Sequence, residues 1–93
     1  MKESAIEAQL VRRIRAAGGL CWKWVSPGCT GVPDRIVILP GGRTIYVELK
    51  TETGRLSEIQ KHVHDELRKR GADVRTLYGL DQVKAFVEEV VPL

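Results

Sequence analysis

Three segments of the chain place hydrophobic residues at the spacing of an amphipathic helix. They cover residues 4–17, 56–70 and 81–90, and within each the apolar positions recur every three or four residues. Gly18-Gly19 and Gly71 end the first two patterns, as glycine often does at a helix C-terminus. The predicted inward stripe of the middle helix consists of Leu56, Ile59, Val63 and Leu67.

Four other segments alternate in hydrophobicity or are rich in β-branched residues, which is typical of strands. A turn of one proline and two glycines separates the second of them from the third. A hairpin followed by a helix and another strand predicts an α/β fold with a mixed sheet flanked by helices, in a single domain over residues 1–93. The predicted strands are residues 20–25, 35–39, 43–50 and 73–78.

The turn between the second and third strands decides which residues face each other. If the loop is Pro40-Gly41-Gly42, Leu39 faces Arg43 and the numbers of paired residues sum to 82. Asp34 then lies opposite Glu48, and directly opposed residues have Cβ atoms about 4.5–5.5 Å apart. A loop one residue shorter or longer would put the two carboxylates on opposite faces of the sheet.

Two opposed carboxylates repel each other unless a cation lies between them. Mg²⁺ is the simplest candidate, because it prefers one or two carboxylates together with water and substrate oxygens. Lys50 follows Glu48 by two residues, so both side chains leave the same face of the strand. A Glu-x-Lys pair alone is more often a solvated surface pair. With Asp34 on the neighbouring strand, the pattern favours a site in which the Lys50 ammonium orients water or offsets charge on a phosphate.

Two further polar residues lie on or beside the predicted apolar helix faces. Glu7 lies in the middle of the apolar arc of the first helix, where a carboxylate must be paired, protonated or bound to metal. Ser4-x-x-Glu7 is also a capping box, and this local role is an equal alternative. Gln60 lies at the edge of the second stripe and completes another capping box with Ser57, the more frequent role for such a residue. We expect the neighbouring His64 to be solvated.

Composition and charge permit nucleic-acid binding without requiring it. There are 15 Lys and Arg against 12 Asp and Glu, and the net charge of +3 is modest for a dedicated DNA-binding protein. No apolar run approaches the roughly 20 residues of a membrane span, so we expect no membrane partner. Two cysteines are too few for a disulfide framework. We therefore expect a protein of a reducing, intracellular compartment, the cytoplasm.

The residues singled out above occur in the order typical of a nuclease family. Gly31-Val32-Pro33-Asp34, then Val47-Glu48-Leu49-Lys50, then Gln60 in the following helix, resemble the VRR-NUC domain, a branch of the PD-(D/E)xK nuclease superfamily. Glu7 matches the acidic residue of that family's first helix. The resemblance extends from about residue 3 to residue 90. It implies a restriction-endonuclease-like α-β-β-β-α-β core with a C-terminal helix.

The resemblance also implies a divalent-metal-dependent deoxyribonuclease that nicks a phosphodiester backbone. Lys50 would orient or activate the attacking water, and Gln60 would support the site from the second helix. The cofactor implied is Mg²⁺ or Mn²⁺. Its implied ligands are Asp34, Glu48, the backbone carbonyl of Leu49 and, through a water molecule, Glu7.

Small stand-alone members of this family resemble virus-encoded Holliday-junction resolvases, which implies a homodimer acting on branched DNA such as four-way junctions. Trp22 and Trp24 share one strand face, where a core or a dimer interface is expected. Two alternatives stay open from the sequence. One is a restriction-type or replication-linked nuclease acting on duplex or flap DNA. The other is a catalytically silent nucleic-acid-binding module of the same fold, which the intact set of Asp34, Glu48 and Lys50 disfavours.

Overall fold

The computed structural model describes residues 1–92, in which three helices pack against a four-stranded sheet. The strands lie in the order β1-β2-β3-β4; the β1–β2 and β2–β3 pairs are antiparallel and the β3–β4 pair is parallel. The predicted α/β fold and its element order are confirmed. Among the residues described, no helix is long and apolar enough to cross a membrane. The elements are α1 Glu3–Ala16, β1 Leu20–Lys23, β2 Arg35–Ile38, β3 Thr44–Lys50, α2 Glu58–Lys69, β4 Val74–Tyr78 and α3 Leu80–Val90.

One face of the sheet carries the hydrophobic core beneath α1 and α3. Both helices contribute apolar side chains at helical spacing, and β3 contributes every second residue. Because β3 alternates in this way, its intervening residues, Glu48 among them, leave the opposite face. The core includes Ile6, Leu10 and Ile14 of α1, Ile45, Val47 and Leu49 of β3, and Val83, Phe86 and Val90 of α3.

The β2–β3 hairpin has the register that a three-residue turn predicts. Ile38 pairs with Thr44, and the numbers of all paired residues on the two strands sum to 82. Both glycines of the Pro40-Gly41-Gly42 turn have positive φ, 93° and 91°, in the left-handed region that glycine adopts without steric cost. The same register, extended by one residue beyond β2, places Asp34 opposite Glu48.

The inner face of α2 differs from the prediction. Ile59, predicted to face inward, is 51% exposed, whereas His64, predicted to be solvated, is fully buried. Both predictions were wrong for one reason. The helix packs over the face of the sheet that carries Glu48, so its inner face includes the polar Gln60 and His64 beside the half-buried Val63 and Leu67.

Two large apolar side chains of this second face remain exposed at the β1 edge. Trp22 is 58% exposed and Leu20 is 43% exposed. Trp24 lies beyond the end of β1 and packs on Tyr46, with ring centroids 5.0 Å apart. The two tryptophans therefore differ, because Trp24 has a partner within the chain and Trp22 presents most of its surface to solvent.

Candidate metal centre

Three carboxylates converge where the start of α1 meets the β2–β3 hairpin. Glu3 is the first residue of α1, Asp34 immediately precedes β2, and Glu48 lies within β3. One oxygen from each of these residues lies within 4.8 Å of the other two. A set of oxygen donors alone suits hard divalent cations such as Mg²⁺ and Mn²⁺.

Glu48 is the most enclosed of the three carboxylates, with only 1% of its surface exposed. Its Oε2 accepts a hydrogen bond from the Gln60 amide nitrogen at 3.2 Å and lies 3.5 Å from the Lys50 ammonium. Its Oε1 is buried and has no hydrogen-bond partner among residues 1–92. A buried polar atom without a partner costs free energy, so an ion or water is expected to satisfy it. The residues present therefore fit a divalent cation, with Oε1 as the oxygen left free to bind it.

The pKa of Glu48 also indicates that this site is suited to a cation. Burial, and after it the neighbouring charge of Asp34, raise the pKa of Glu48 to about 7, against the partly opposing effect of Lys50. The ionised carboxylate is therefore unfavourable in the protein alone. Asp34 is held in place from the other side, because its Oδ2 accepts a hydrogen bond from the backbone amide of Leu49 at 2.9 Å.

Lys50 and Gln60 both contact Glu48, as their predicted supporting roles require. The Lys50 side chain leaves the same strand face as Glu48 and is only 14% exposed. The Gln60 side chain also completes the capping box of α2: its oxygen accepts from the Ser57 amide at 2.9 Å, and the Ser57 hydroxyl accepts from the Gln60 amide at 3.1 Å. The Gln60 side chain therefore both caps α2 and contacts Glu48.

Glu7 lies outside the cluster of three carboxylates, whereas Glu3, which the sequence analysis did not single out, lies within it. The Glu7 carboxylate accepts a hydrogen bond from Arg35 Nε at 2.7 Å. The predicted capping box is wrong, because α1 begins one residue before Ser4 and its N-cap is Lys2, which makes no side-chain capping bond. Glu3 precedes Glu7 by four residues and shares its helix face, a signal missed because the predicted helix began too late. A water-mediated metal contact for Glu7 stays a prediction.

Two other buried polar groups on this side of the sheet have no partner in the described structure. Both ring nitrogens of His64 and the hydroxyl of Thr76 make no hydrogen bond among residues 1–92. Thr76 is in register with Glu48, and His64 follows Gln60 by one helical turn. Burial lowers the pKa of His64, which favours the neutral ring. The space between α2 and the sheet is therefore polar around Glu48 and suited to ordered water.

Comparison with known proteins agrees with this geometry. Residues 2–81 match the sequence profile of the VRR-NUC domain. A protein of Acyrthosiphon pisum secondary endosymbiont phage 1 named "Putative nuclease p44" is 41% identical over 81 residues, covering 87% of each chain. A solved structure described as a VRR_NUC domain is similar with a TM-score of 0.89 and 35% identity, over 95% of this chain and 96% of that one. These findings support a nuclease and confirm the resemblance seen in the motifs: the chain belongs to the VRR-NUC domain family.

Proposed function

We propose that this protein is a divalent-metal-dependent deoxyribonuclease that nicks branched DNA, such as four-way junctions, as a homodimer. The observation that carries the metal dependence is the cluster of Glu3, Asp34 and Glu48, whose oxygens lie within 4.8 Å of one another. The unpartnered Oε1 of Glu48 supports the same conclusion. Membership of the VRR-NUC domain family supports nuclease chemistry.

The metal ligands proposed are Asp34 and Glu48, with Glu3 as the third carboxylate and the backbone carbonyl of Leu49 as the ligand implied by the family resemblance. The ion would be Mg²⁺ or Mn²⁺, since the side-chain donors are all carboxylate oxygens. When bound, it would polarise the scissile phosphate and stabilise the charge that develops on it. Gln60 donates to Glu48 Oε2, which would leave Oε1 available to the ion.

Lys50 is the proposed residue for handling water and phosphate. Its ammonium lies 3.5 Å from Glu48 Oε2 and beside the carboxylate cluster, in a largely buried position. A fixed positive charge there would orient the attacking water or offset negative charge on the phosphate. Lys50 would not hold the ion itself, because an ammonium has no acceptor atom.

The exposed apolar surface at the β1 edge supports the proposed dimer. Trp22 and Leu20 are the large apolar side chains exposed there, and a two-fold partner would cover both. Such a pair would also set two metal sites in opposite orientations, which suits paired nicks in a branched substrate. The net charge of +3 per chain would double in the dimer and strengthen attraction to phosphates.

A cleavage panel tests the metal dependence and the substrate preference together. We expect labelled four-way junctions to be cut faster than duplex, flap or fork DNA in Mg²⁺ or Mn²⁺, with no cutting in excess EDTA. Asp34→Asn should lower the rate about a hundredfold or more, yet keep the fold, because the new side-chain oxygen can still accept from the Leu49 amide.

The matched control for this panel is Asp81→Asn, an exposed residue of α3, which should cut at the normal rate. Full cleavage in EDTA would exclude a metal-dependent reaction. Equal rates on duplex and four-way junctions would remove the substrate preference.

Light scattering at micromolar protein tests the dimer. We expect a mass twice that of the 10.4 kDa chain. Trp22→Lys should shift the mass to that of the monomer and weaken junction cleavage, because it places a charge in the proposed apolar interface. A monomeric wild-type protein that still resolves junctions would contradict the proposal.

The stability of the metal-free protein should fall as pH rises through the range in which Glu48 ionises. The folded-state pKa of Glu48 is about 7, above its ordinary value of 4.5, so the destabilisation is absent below pH 4.5 and complete above pH 7. In EDTA, Glu48→Gln should therefore raise the free energy of unfolding above pH 7 by on the order of 2 kcal/mol and flatten its pH dependence.

Denaturant unfolding between pH 5 and pH 8 measures this difference, with Glu88→Gln, an exposed residue of α3, as the control. Added Mg²⁺ should stabilise the wild type and leave Glu48→Gln nearly unchanged. A Glu48→Gln protein less stable than wild type at pH 8 in EDTA would show that the ionised carboxylate is already compensated within the chain.

Lys50→Ala should retain metal binding and lose most of the cleavage rate, because Lys50 is proposed to act on water or phosphate. Calorimetric titration with Mn²⁺ measures the first property, and turnover at saturating metal and DNA measures the second. Lys84→Ala, which removes an exposed lysine of α3, is the matched control. Loss of metal affinity with preserved turnover would reverse the assignment.

A further inference from the structure

We infer that a cleft between α1 and the β1 edge of the sheet binds the phosphate backbone of the DNA beside the cleavage site. This inference rests on the proposed function and adds the path of the substrate. We call the cleft the α1–β1 cleft. It is lined by Ala8, Val11, Arg12, Arg15, Ala16 and Arg35. An adjoining opening shares Val11, Arg15 and Arg35 and ends at Leu20 and Trp22, so the cleft borders the proposed dimer interface.

Two of the three arginines that line this cleft have no carboxylate partner among residues 1–92. Arg12 and Arg15 are exposed, and neither forms a salt bridge with a carboxylate in the part of the chain that the structure describes. Arg12 hydrogen-bonds Gln9 at 2.8 Å, a neutral partner that leaves its charge available. Guanidinium groups free of carboxylates are well suited to phosphate oxygens.

The basic residues of α2 are arranged in the opposite way. Its lysines and arginine, and Arg70 immediately after it, each lie 3.1 to 3.6 Å from a carboxylate one turn away. Positive charge on α2 is therefore largely compensated, whereas positive charge on the outer face of α1 is available to a ligand. The α2 pairs are Lys61 with Glu58, Arg68 with Asp65, and Lys69 and Arg70 with Glu66.

The cleft is linked to the proposed metal centre through Arg35 and Glu7. Arg35, which lines it, follows Asp34 in the chain and binds Glu7 at 2.7 Å. Glu7 lies one helical turn from Glu3 of the carboxylate cluster. The acidic group nearest the cleft is thus already neutralised by Arg35, and net positive charge begins beyond it, at Arg12.

The spacing along α1 matches a nucleic-acid strand leaving the cleavage site. At 1.5 Å per residue, Arg12 and Arg15 lie roughly 13 and 18 Å from Glu3 along the helix axis. One strand of a duplex carries a phosphate about every 3.4 Å of rise, so the two arginines would meet phosphates about four to five nucleotides from the scissile bond. The small side chains of Ala8 and Ala16 leave room for a backbone to approach the floor of the cleft.

Two double variants that remove the same charge test this inference. Arg12→Gln with Arg15→Gln alters the cleft, and Lys69→Gln with Arg70→Gln removes two exposed charges that are paired on α2. Binding to a labelled four-way junction is measured by fluorescence anisotropy in EDTA over a range of salt. We expect the cleft variant to bind at least tenfold more weakly and to lose about two units of salt slope. The α2 variant should bind within about twofold to threefold of wild type. Equal losses in the two variants would overturn the inference.

Kinetics with Mg²⁺ separate this inference from the proposed function. The cleft variant should raise KM and keep kcat at saturating DNA, since it contacts the strand away from the reacting phosphate. Shortening the DNA arm on that side below about four base pairs should abolish its difference from wild type.

If wild type cleaves DNA and the cleft variant matches it, the inference alone fails. If wild type cleaves no DNA, the proposed function fails first. A changed mass of the cleft variant in light scattering would overturn the inference by assigning the cleft to contact between copies of the chain.

Discussion

Asp34 and Glu48 are held on neighbouring strands at a separation that is unfavourable without a cation, and the arrangement of the site depends on this pair. Burial together with repulsion raises the pKa of Glu48 to about 7. The chain cannot relieve the repulsion by sliding β2 along β3, because the Pro40-Gly41-Gly42 turn fixes the register. A slip of one residue would also turn the apolar residues of β3 away from the core. Packing beneath α1 and α3 therefore stabilises the hairpin despite the repulsion between Asp34 and Glu48 on its other face.

The hydrophobic core and the charged site lie on opposite faces of the sheet. The apolar core lies on the α1 and α3 side, while Glu48, Lys50 and the polar inner face of α2 lie on the other. α1 contributes to both, since its buried stripe packs in the core and its first residue, Glu3, reaches the carboxylate cluster. The position of the first turn of α1 is therefore coupled to the geometry of the carboxylate cluster through the packing of the same helix.

Local patterns predicted the fold and the centre of the site, and long-range packing decided the rest. The order of the elements and the opposition of Asp34 to Glu48 depend on alternation and on one turn, all readable within a few residues. The presence of Glu3, and not Glu7, in the carboxylate cluster depends on where α1 begins. It also depends on Arg35, 28 residues from Glu7 in the chain, which binds the Glu7 carboxylate. The burial of His64 and the exposure of Ile59 depend on which part of the sheet α2 covers, which the spacing of apolar residues along the helix does not reveal.

At Gln60, a contact with a distant residue restricts which side chain suits a helix cap. The third position of a capping box ordinarily accepts glutamate or glutamine, because either side chain has an oxygen for the backbone amide. Here the side-chain oxygen accepts from the Ser57 backbone amide, and the side-chain nitrogen donates to Glu48. One planar group is thus an acceptor for the cap and a donor for the site. Glutamate would preserve the cap, remove the donor and add a fourth carboxylate. In a related chain with glutamate at this position, the helix would therefore still begin at the same residue, but the buried glutamate of β3 would lose its hydrogen-bond donor.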